Sequence, residues 1–186
     1  MDSNLKQRII EETYKLFIIK GIDQTSFCDI ANAVSKSKGA IIHYFPSKKV
    51  LIDTVIRRCF FPASELPSEF KKHCYKNGWS FFIKSYKNPI ERAMYSFPED
   101  TKDNQLMHYL EFVSSASKYM RDFSLLYKDL FYQEEQSIIE IAHKNQICNI
   151  IDIDYLGKQT IELSIGHTFC HFFLGGGCKL NCVSKE

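Results

Sequence analysis

Three serines in the first third of the chain each stand directly before a short stretch of helical character. Ser26 is followed three residues later by Asp29, which is the spacing of a capping box, and Ser37 and Ser47 precede two further stretches. A serine at this position accepts a hydrogen bond from a backbone amide in the first turn of a helix. The pattern therefore predicts two very short helices and then a longer one, joined by tight connections.

Apolar residues recur at helical spacing through most of the remaining chain. The first stretch runs from Ser3 to Lys20 and ends at Gly21, which can adopt the left-handed conformation that closes a helix. Pro62 and Pro67 bracket a break. Beyond it we expect helices at about 68–86, 89–97, 102–120, 123–147 and 155–174. Apart from a weak alternating pattern at 147–153, no strand signal is present, so the chain is predicted to be all-α with about nine helices.

Charge and cysteine content limit the class of protein without deciding it. Residues 1–60 carry ten Lys and Arg against six Asp and Glu, and the remainder carries fourteen against sixteen. A basic first third is typical of an anion-binding surface, although chance variation explains a difference of this size equally well. The seven cysteines form no CxxC pair, and neither a signal peptide nor a membrane-spanning apolar run is present. We expect a reduced, soluble, cytoplasmic protein without a membrane partner.

The most informative segment lies between Thr25 and Lys49. Two short capped helices are joined there by a tight connection at 34–36, and a longer amphipathic helix flanks them on each side. Such short helices are not stable alone, so packing against their neighbours must hold them. A helix of this size fits the major groove of DNA with its N-terminal residues towards the base edges. The arrangement is that of a helix-turn-helix.

The same segment resembles the N-terminal signature of the TetR (tetracycline-repressor-like) family, over residues 5–58 without a gap. The matching parts are Gly21-Ile-Asp-Gln-Thr25-Ser26, Asp29-Ile-Ala31, Ser37-Lys-Gly-Ala-Ile41, His43-Tyr-Phe-Pro-Ser-Lys48 and Leu51. The resemblance implies an N-terminal three-helix helix-turn-helix DNA-binding domain over residues 1–48. It also implies a helical effector-binding and dimerisation domain over residues 49–186.

The resemblance assigns roles residue by residue. Thr25 and Ser26 would hold a DNA phosphate at the start of the first short helix. Tyr44 and Lys48 would contact further phosphates. The full set of implied DNA-binding residues is Thr25, Ser26, Ser37, Lys38, Gly39, Ala40, Ile42, His43, Tyr44 and Lys48. A small core would support them, formed by Phe17, Ile30, Ala31, Ile41, Phe45 and Leu51.

The sequence departs from the family pattern at three positions. Ser35 stands where the turn normally carries glycine, so a left-handed serine is expected there at a mild cost. Lys36 replaces an apolar residue, and we expect its stem to pack while its amine reaches solvent. Ile42 replaces an aromatic residue and offers only apolar contact, for example to a thymine methyl group. DNA binding is still expected, with an altered pattern of base contacts.

We call the helix-turn-helix domain over residues 1–48 the reader. The helices that follow it carry stripes of apolar residues that fit more than one role. The resemblance places a dimer interface on 123–147 and 155–174, the alternative being that these stripes pack within one subunit. It also places an effector pocket in this domain. Weak candidates for its lining are Trp79, Tyr95, Tyr109, Phe112, Tyr127 and Phe131, most of which could equally be core.

No metal, cofactor or catalytic site is predicted. His167 and His171 are four residues apart with Cys170 beside them, but no third ligand is fixed by spacing. Cys178 and Cys182 lie in the tail, where an incidental role is expected. Nucleophile-elbow, phosphate-loop and zinc-protease motifs are all missing from the sequence, so an enzyme is not expected.

Together these features predict a homodimeric transcriptional repressor that binds a palindromic double-stranded operator and is released by an unidentified small-molecule effector. The alternative is a helical ligand-binding or interaction protein of the same fold that has lost specific DNA binding.

Overall fold

A computed structural model describes the backbone of residues 3–147 and 153–173 and the side chains of 4–147 and 155–169. Within these ranges the chain contains helices and turns but no strand, so the predicted all-α fold is confirmed. In order, the elements are α1 (Ser3–Lys20), α2 (Phe27–Ala33), α3 (Lys38–Tyr44), α4 (Lys48–Val55), a π-helical turn (Ile56–Phe60), α5 (Phe61–Ser64), α6 (Ser68–Asn77), α7 (Trp79–Ser85), α8 (Pro89–Tyr95), a 3-10 turn (Glu99–Asn104), α9 (Gln105–Tyr119), α10 (Phe123–Lys144) and α11 (Ile153–Phe173). Most of the weak alternating pattern at 147–153 lies outside the described residues.

The first predicted helix has the predicted bounds. α1 ends at Lys20, and Gly21 follows in the left-handed region with a φ of 88°. The Gly21 amide donates to the Phe17 carbonyl, which satisfies one of the acceptors left open at the helix end. The chain then turns back towards α2.

Pro62 does not end a helix, in contrast to the expectation that it opens a break. It occupies the first turn of α5, which follows the π-helical turn directly. The Phe61 amide donates to the Ile56 carbonyl, five residues back, so the regular hydrogen-bond register is already interrupted directly before Pro62. A proline, which lacks the amide, is tolerated at such an interruption. The helical path therefore continues from Lys48 to Ser64, and the break lies immediately before α6.

The prediction of one helix over 68–86 is wrong. The structure divides this stretch into α6 and α7 at Gly78, whose φ of 84° is incompatible with a right-handed helix. Its amide donates to the Cys74 carbonyl and closes α6. Apolar periodicity continues across Gly78, which explains why the pattern hides the division.

The chain forms two compact units. Unit 1 contains Met1–Glu65 and Arg92–Leu130, and unit 2 contains Leu66–Glu91 and Phe131–Glu186. The division is one of packing; the functional division into residues 1–48 and 49–186 stays a prediction.

Unit 1 has an aromatic core around Phe60, which is fully buried. Its ring lies 5.0 Å from that of Phe112 and 6.1 Å from those of Tyr109 and Phe123. These are typical distances for aromatic pairs, which contribute beyond the area they bury. The helices on either side of the π-helical turn are therefore fixed by large, rigid side chains.

Unit 2 has a smaller core formed by Cys74, Phe82, Ile138, Ile141 and Ile161.

Unit 2 also contains a buried polar cluster around Asn88. The Asn88 side chain accepts hydrogen bonds from the Ile90 and Glu91 amides and so caps α8, while its amide group donates to Ser164 and Thr168 of α11. Every polar atom of the Asn88 side chain thus has a partner, as a buried amide requires.

No helix among the described residues is both long and apolar enough to cross a membrane.

Candidate nucleic-acid interface

The start of α2 is fixed by the predicted capping box. The Ser26 hydroxyl accepts a hydrogen bond from the Asp29 amide at 3.2 Å, and the Asp29 carboxylate accepts one from the Ser26 amide at 2.8 Å. The same carboxylate pairs with Lys20 at 2.5 Å. The Lys20 ammonium and then the Ser26 donors stabilise the charged carboxylate, so they hold the pKa of Asp29 well below its usual range. Through Asp29, the ion pair with Lys20 and the capping box with Ser26 connect the end of α1 to the start of α2.

The turn between α2 and α3 has the left-handed residue expected from the sequence. Ser35 has a φ of 54°, and its amide donates to the Asn32 carbonyl. The Lys36 amide donates to the Ala31 carbonyl at 2.9 Å. The prediction of a left-handed serine is therefore confirmed, and the departure from glycine leaves the turn hydrogen bonds in place.

The third helix has one face in the core and one face open. Ile41 and the residue that follows the helix, Phe45, are fully or almost fully buried. On the outer face the side chain of Ile42 is 41% exposed, and His43 beside it is also exposed. The Ser37 hydroxyl accepts a hydrogen bond from the Ala40 amide at 3.2 Å and fixes the start of the helix. A partner can therefore reach the outer face without disturbing the core.

The predicted small core of the reader is confirmed. All of its members are less than 5% exposed: Phe17, Ile30, Ala31, Ile41, Phe45 and Leu51. They hold the two short helices against α1 and α4, as helices of seven residues require.

Three exposed lysines lie next to α3 in the sequence: in the turn before it, at its first residue and near the start of α4. Lys36, Lys38 and Lys49 are exposed, and none of them forms an ion pair within the described part of the chain. Lys48, at the start of α4, donates to the backbone carbonyl of Asp23 at 3.0 Å. Unpaired ammonium groups close in sequence to a helix that fits the major groove are suited to the phosphates of DNA.

Thr25 lies directly before the N-cap of α2, where the resemblance places it, but its side chain is used inside the protein. Its side chain is 1% exposed, and its hydroxyl donates to the Gly21 carbonyl at 2.8 Å. Its amide also donates to Gly21. Thr25 therefore braces the turn before α2 in this structure and presents no free donor to a phosphate.

The other nine residues that the resemblance implies are exposed or half-buried at the starts of α2 and α4 and along α3: Ser26, Ser37, Lys38, Gly39, Ala40, Ile42, His43, Tyr44 and Lys48. Among them, the ring of Tyr44 packs edge-on against that of His43, with centroids 5.5 Å apart. This contact orients both side chains at the end of the helix.

Two polar contacts that link the reader region to the end of α9 were not predicted. The Tyr119 hydroxyl donates to the Asp23 carboxylate, and Arg57 pairs with Asp122 at 2.6 Å. Arg57 also bonds Asp53 at 3.1 Å. Asp53 and Asp122 hold the guanidinium in its charged form and raise the pKa of Arg57, while Arg57 lowers the pKa of Asp122. Because the partners are 96 and 65 positions apart, no local sequence pattern predicts these contacts.

The structure divides the six weak ligand-binding candidates between the two units. Tyr109 and Phe112 are buried in the aromatic core of unit 1, where the Tyr109 and Tyr127 hydroxyls bond one another. Tyr95 is exposed. Trp79 and Phe131 pack against the core of unit 2, and the ring of Trp79 stacks on Phe82 at 4.6 Å. Because the six are divided between two units, their assignment to a ligand pocket stays a prediction.

No group of three or more His, Cys, Asp or Glu side chains within the described ranges is arranged to hold a metal ion. His167 is exposed on α11. The side chains of Cys170 and His171, and the whole of the tail with Cys178 and Cys182, lie outside the described residues.

Comparison with known proteins agrees with this geometry. The family model for bacterial regulatory proteins of the tetR family matches residues 9–55, from α1 to the end of α4. Over 56 residues the chain is 36% identical to IcaR of Staphylococcus aureus strain Newman, the HTH-type negative transcriptional regulator of the biofilm operon icaADBC. The match covers 30% of this chain and only 30% of the length of IcaR.

Two solved structures extend the likeness to most of the chain. A transcriptional regulator from Saccharomonospora viridis in complex with choline superposes with a TM-score of 0.59 at 19% identity, over 95% of this chain and 90% of the other. SmeT in complex with triclosan superposes with a TM-score of 0.52 at 14% identity, over 91% and 80% of the two chains. At these identities the likeness shows a shared fold. The helix-turn-helix segment, residues 9–55, is therefore similar to the N-terminal domain of the tetR family of bacterial regulatory proteins.

Proposed function

We propose that the protein is a transcriptional repressor that binds a two-fold-symmetric DNA operator as a homodimer. The observation that carries the proposal is the open face of α3 together with three exposed lysines close to it in sequence, Lys36, Lys38 and Lys49, which have no acidic partner among the described residues. Exposed ammonium groups of this kind attract a polyanion. Double-stranded DNA supplies that polyanion, and its major groove accepts the helix.

Base contacts are expected from the N-terminal half and the outer face of α3. A Cβ added to Gly39 would meet only the Ser37 hydroxyl, at 3.9 Å, so the outer side of this residue is open to a base edge. Ile42 offers apolar contact to a thymine methyl group, and His43 offers a ring nitrogen. Lys48 and Tyr44 are proposed to contact phosphates, which position the helix without selecting the sequence.

Dimerisation is proposed to use α10 and α11. Within unit 2, exposed large side chains include Tyr132 on α10 and both Tyr155 and Leu163 on α11. Leu163 is 61% exposed, and space beyond Gly166 on the same helix is open. Tyr155 and Leu163 are eight residues apart, a little over two helical turns, so they lie towards the same side of α11. We propose that a protein partner covers this side. A second copy would do so isologously and would give the two-fold symmetry that a palindromic operator needs.

Release by a small molecule completes the proposal. The choline and triclosan complexes show that two proteins of this fold bind small molecules of unlike chemistry. We infer the same type of control here, without assigning a pocket, and a cytoplasmic location where such a protein meets both DNA and effector. A coupling of only about 1–3 kcal/mol between the two sites changes operator occupancy substantially.

The test is fluorescence anisotropy of the purified protein with DNA from upstream of its own gene and with a scrambled duplex of equal length, over a series of salt concentrations. We expect preferential binding to the upstream duplex, with an affinity that falls steeply as salt rises because phosphate contacts release counterions. Lys48→Gln should weaken binding to both duplexes similarly and reduce the salt slope by about 0.9, since one phosphate is then no longer neutralised. Weak, equal binding to both duplexes, repeated with a pool of random duplexes, would support instead a helical ligand-binding protein that has lost DNA binding.

A further inference from the structure

A chain of hydrogen bonds connects a proposed phosphate contact to the end of α9. The Lys48 ammonium donates to the Asp23 carbonyl at 3.0 Å, and the Asp23 carboxylate accepts a hydrogen bond from the Tyr119 hydroxyl. Asp23 lies in the turn between α1 and α2, and Tyr119 is the last residue of α9. All three residues belong to unit 1.

The turn that carries Asp23 is not fixed by packing against α9 along its length. Lys20–Gln24 form one wall of an open groove of about 480 Å³, and residues of α9 from Leu110 to Lys118 form the other. Because the groove separates the two walls, the hydrogen bond from Tyr119 is a specific tie between them. The carboxylate is a strong acceptor for a phenol, and the hydrogen bond to it raises the pKa of Tyr119, so the hydroxyl keeps its proton.

The position of the Asp23 carbonyl decides where the Lys48 ammonium is held. An ammonium has three donors, so one bond to this carbonyl leaves two for a phosphate oxygen. A lysine held in advance loses less side-chain entropy when it binds than one that moves freely. Any residue that fixes the Asp23 turn therefore favours the phosphate contact of Lys48.

From this geometry we infer that Tyr119 is a positioning residue for DNA binding, acting through Asp23 on Lys48. The inference rests on the proposed function, and it adds a route by which α9 influences the reader. A second tie acts near the same place, since Asp122, three residues after Tyr119, pairs with Arg57 beyond the end of α4. The connection between α9 and α10 thus contacts two other segments: the α1–α2 turn through Tyr119, and the π-helical turn through Asp122. A movement of this connection would move Asp23 and so change the position in which the Lys48 ammonium is held.

The experiment is a double-mutant cycle of Tyr119→Phe and Lys48→Gln, measured as operator affinity at fixed salt. Tyr119→Phe removes only the hydroxyl and is expected to weaken operator binding by about three- to tenfold, the range of one hydrogen bond. In the Lys48→Gln background the same change should have almost no effect, because the group on which it acts is gone. Tyr14→Phe is the matched control, since it removes a hydroxyl that bonds Ser96 at 3.1 Å in the same unit and has no link to Asp23. It should leave operator affinity unchanged.

Several outcomes would overturn the inference. If Tyr119→Phe weakens binding equally with and without Lys48, the tyrosine acts on the reader by another path. Tighter binding by Tyr119→Phe would show that Asp23 holds Lys48 away from the phosphate, and unchanged binding would show that the tie has no role. In all three cases the wild-type protein still prefers its operator, so the proposed function stands. If the wild type shows no operator preference, the proposed function fails and the inference falls with it.

Discussion

The reader and the aromatic core of unit 1 hold their helices in different ways. In the reader, seven-residue helices begin at serine caps and cover a core of aliphatic residues with Phe17 and Phe45. Around Phe60, helices are held by rings at distances of 5.0–6.1 Å with few polar contacts among them. Local hydrogen bonds shape the first region, and burial of large side chains shapes the second.

This difference separates the residues that can serve a partner from those that cannot. Because caps and a small core suffice to hold α2 and α3, the outer face of α3 and the lysines close to it in sequence are left for another molecule. In the aromatic core the large side chains are buried against one another, so none of them is available to another molecule. Substitutions in the two regions should therefore change different properties of the protein, and the following predictions test that separation.

The largest effect is expected in the aromatic core. Phe60→Ala removes a fully buried ring that contacts four others, and it should reduce the free energy of unfolding by about 3–5 kcal/mol. Urea denaturation followed by circular dichroism measures this. Ile83→Ala, at a position 62% exposed, is the control and should change stability by no more than about 0.5 kcal/mol. A small loss for Phe60→Ala would mean that the cluster is less tightly packed than the distances indicate.

Next in size is the proposed dimer surface. Leu163→Lys places a charge on the exposed face of α11 and should convert the dimer to a monomer, which light scattering after size exclusion detects. Operator affinity should fall by at least about tenfold, because each half-site is then bound separately. The helix content should stay the same. A Leu163→Lys protein that remains dimeric would remove this face from the interface.

In the reader, Ser35→Gly should stabilise the protein by about 0.5–1 kcal/mol. The φ of 54° is strained for serine and accessible to glycine, so relief of this strain outweighs the added freedom of the unfolded chain. Ser35→Val should be destabilising, since a β-branched residue tolerates this conformation poorly. Thermal unfolding of the two variants and the wild type measures both changes in stability. Destabilisation by glycine would show that the serine side chain stabilises the turn.

The smallest effects are expected at the unpaired lysines. Lys36→Gln and Lys49→Gln should each reduce the slope of log affinity against log salt by about 0.9 while leaving stability unchanged, if each contacts one phosphate. Lys15→Gln is the control, because Lys15 pairs with Glu12 on α1 at 2.8 Å and lies outside the proposed interface. A slope that is unaffected by either change would limit the phosphate contacts to the residues implied by the family resemblance.

The reader is predicted well from the sequence because its signals are local. A cap lies three residues from its partner, as for Ser26 and Asp29. The left-handed Ser35 was expected because the family pattern has glycine at that position of the turn. Thr25 shows where local pattern stops: its position in the motif implies a phosphate contact, yet its hydroxyl satisfies the Gly21 carbonyl.

Features that depend on residues far apart in the chain were not predictable in the same way. Tyr119 and Asp23 are 96 positions apart in the sequence, and no spacing rule connects them. The sequence does not distinguish the aromatic residues proposed to line an effector pocket from core residues. In the structure Tyr109 and Phe112 are buried, whereas Tyr95 is exposed. The division at Gly78 was hidden because apolar spacing continues through it.

The most direct test of the central claim is selection of bound sequences from a pool of random duplexes, with the wild-type protein and with Ile42→Ala, which changes a residue on the outer face of α3. We expect enrichment of a two-fold-symmetric motif whose half-sites are about one helical turn, or a multiple of it, apart. We also expect Ile42→Ala to alter the preferred base at one symmetric pair of positions while the half-site spacing stays the same. Failure of the wild type to enrich any motif, or an identical motif from the variant, would contradict the claim that this face of α3 reads DNA.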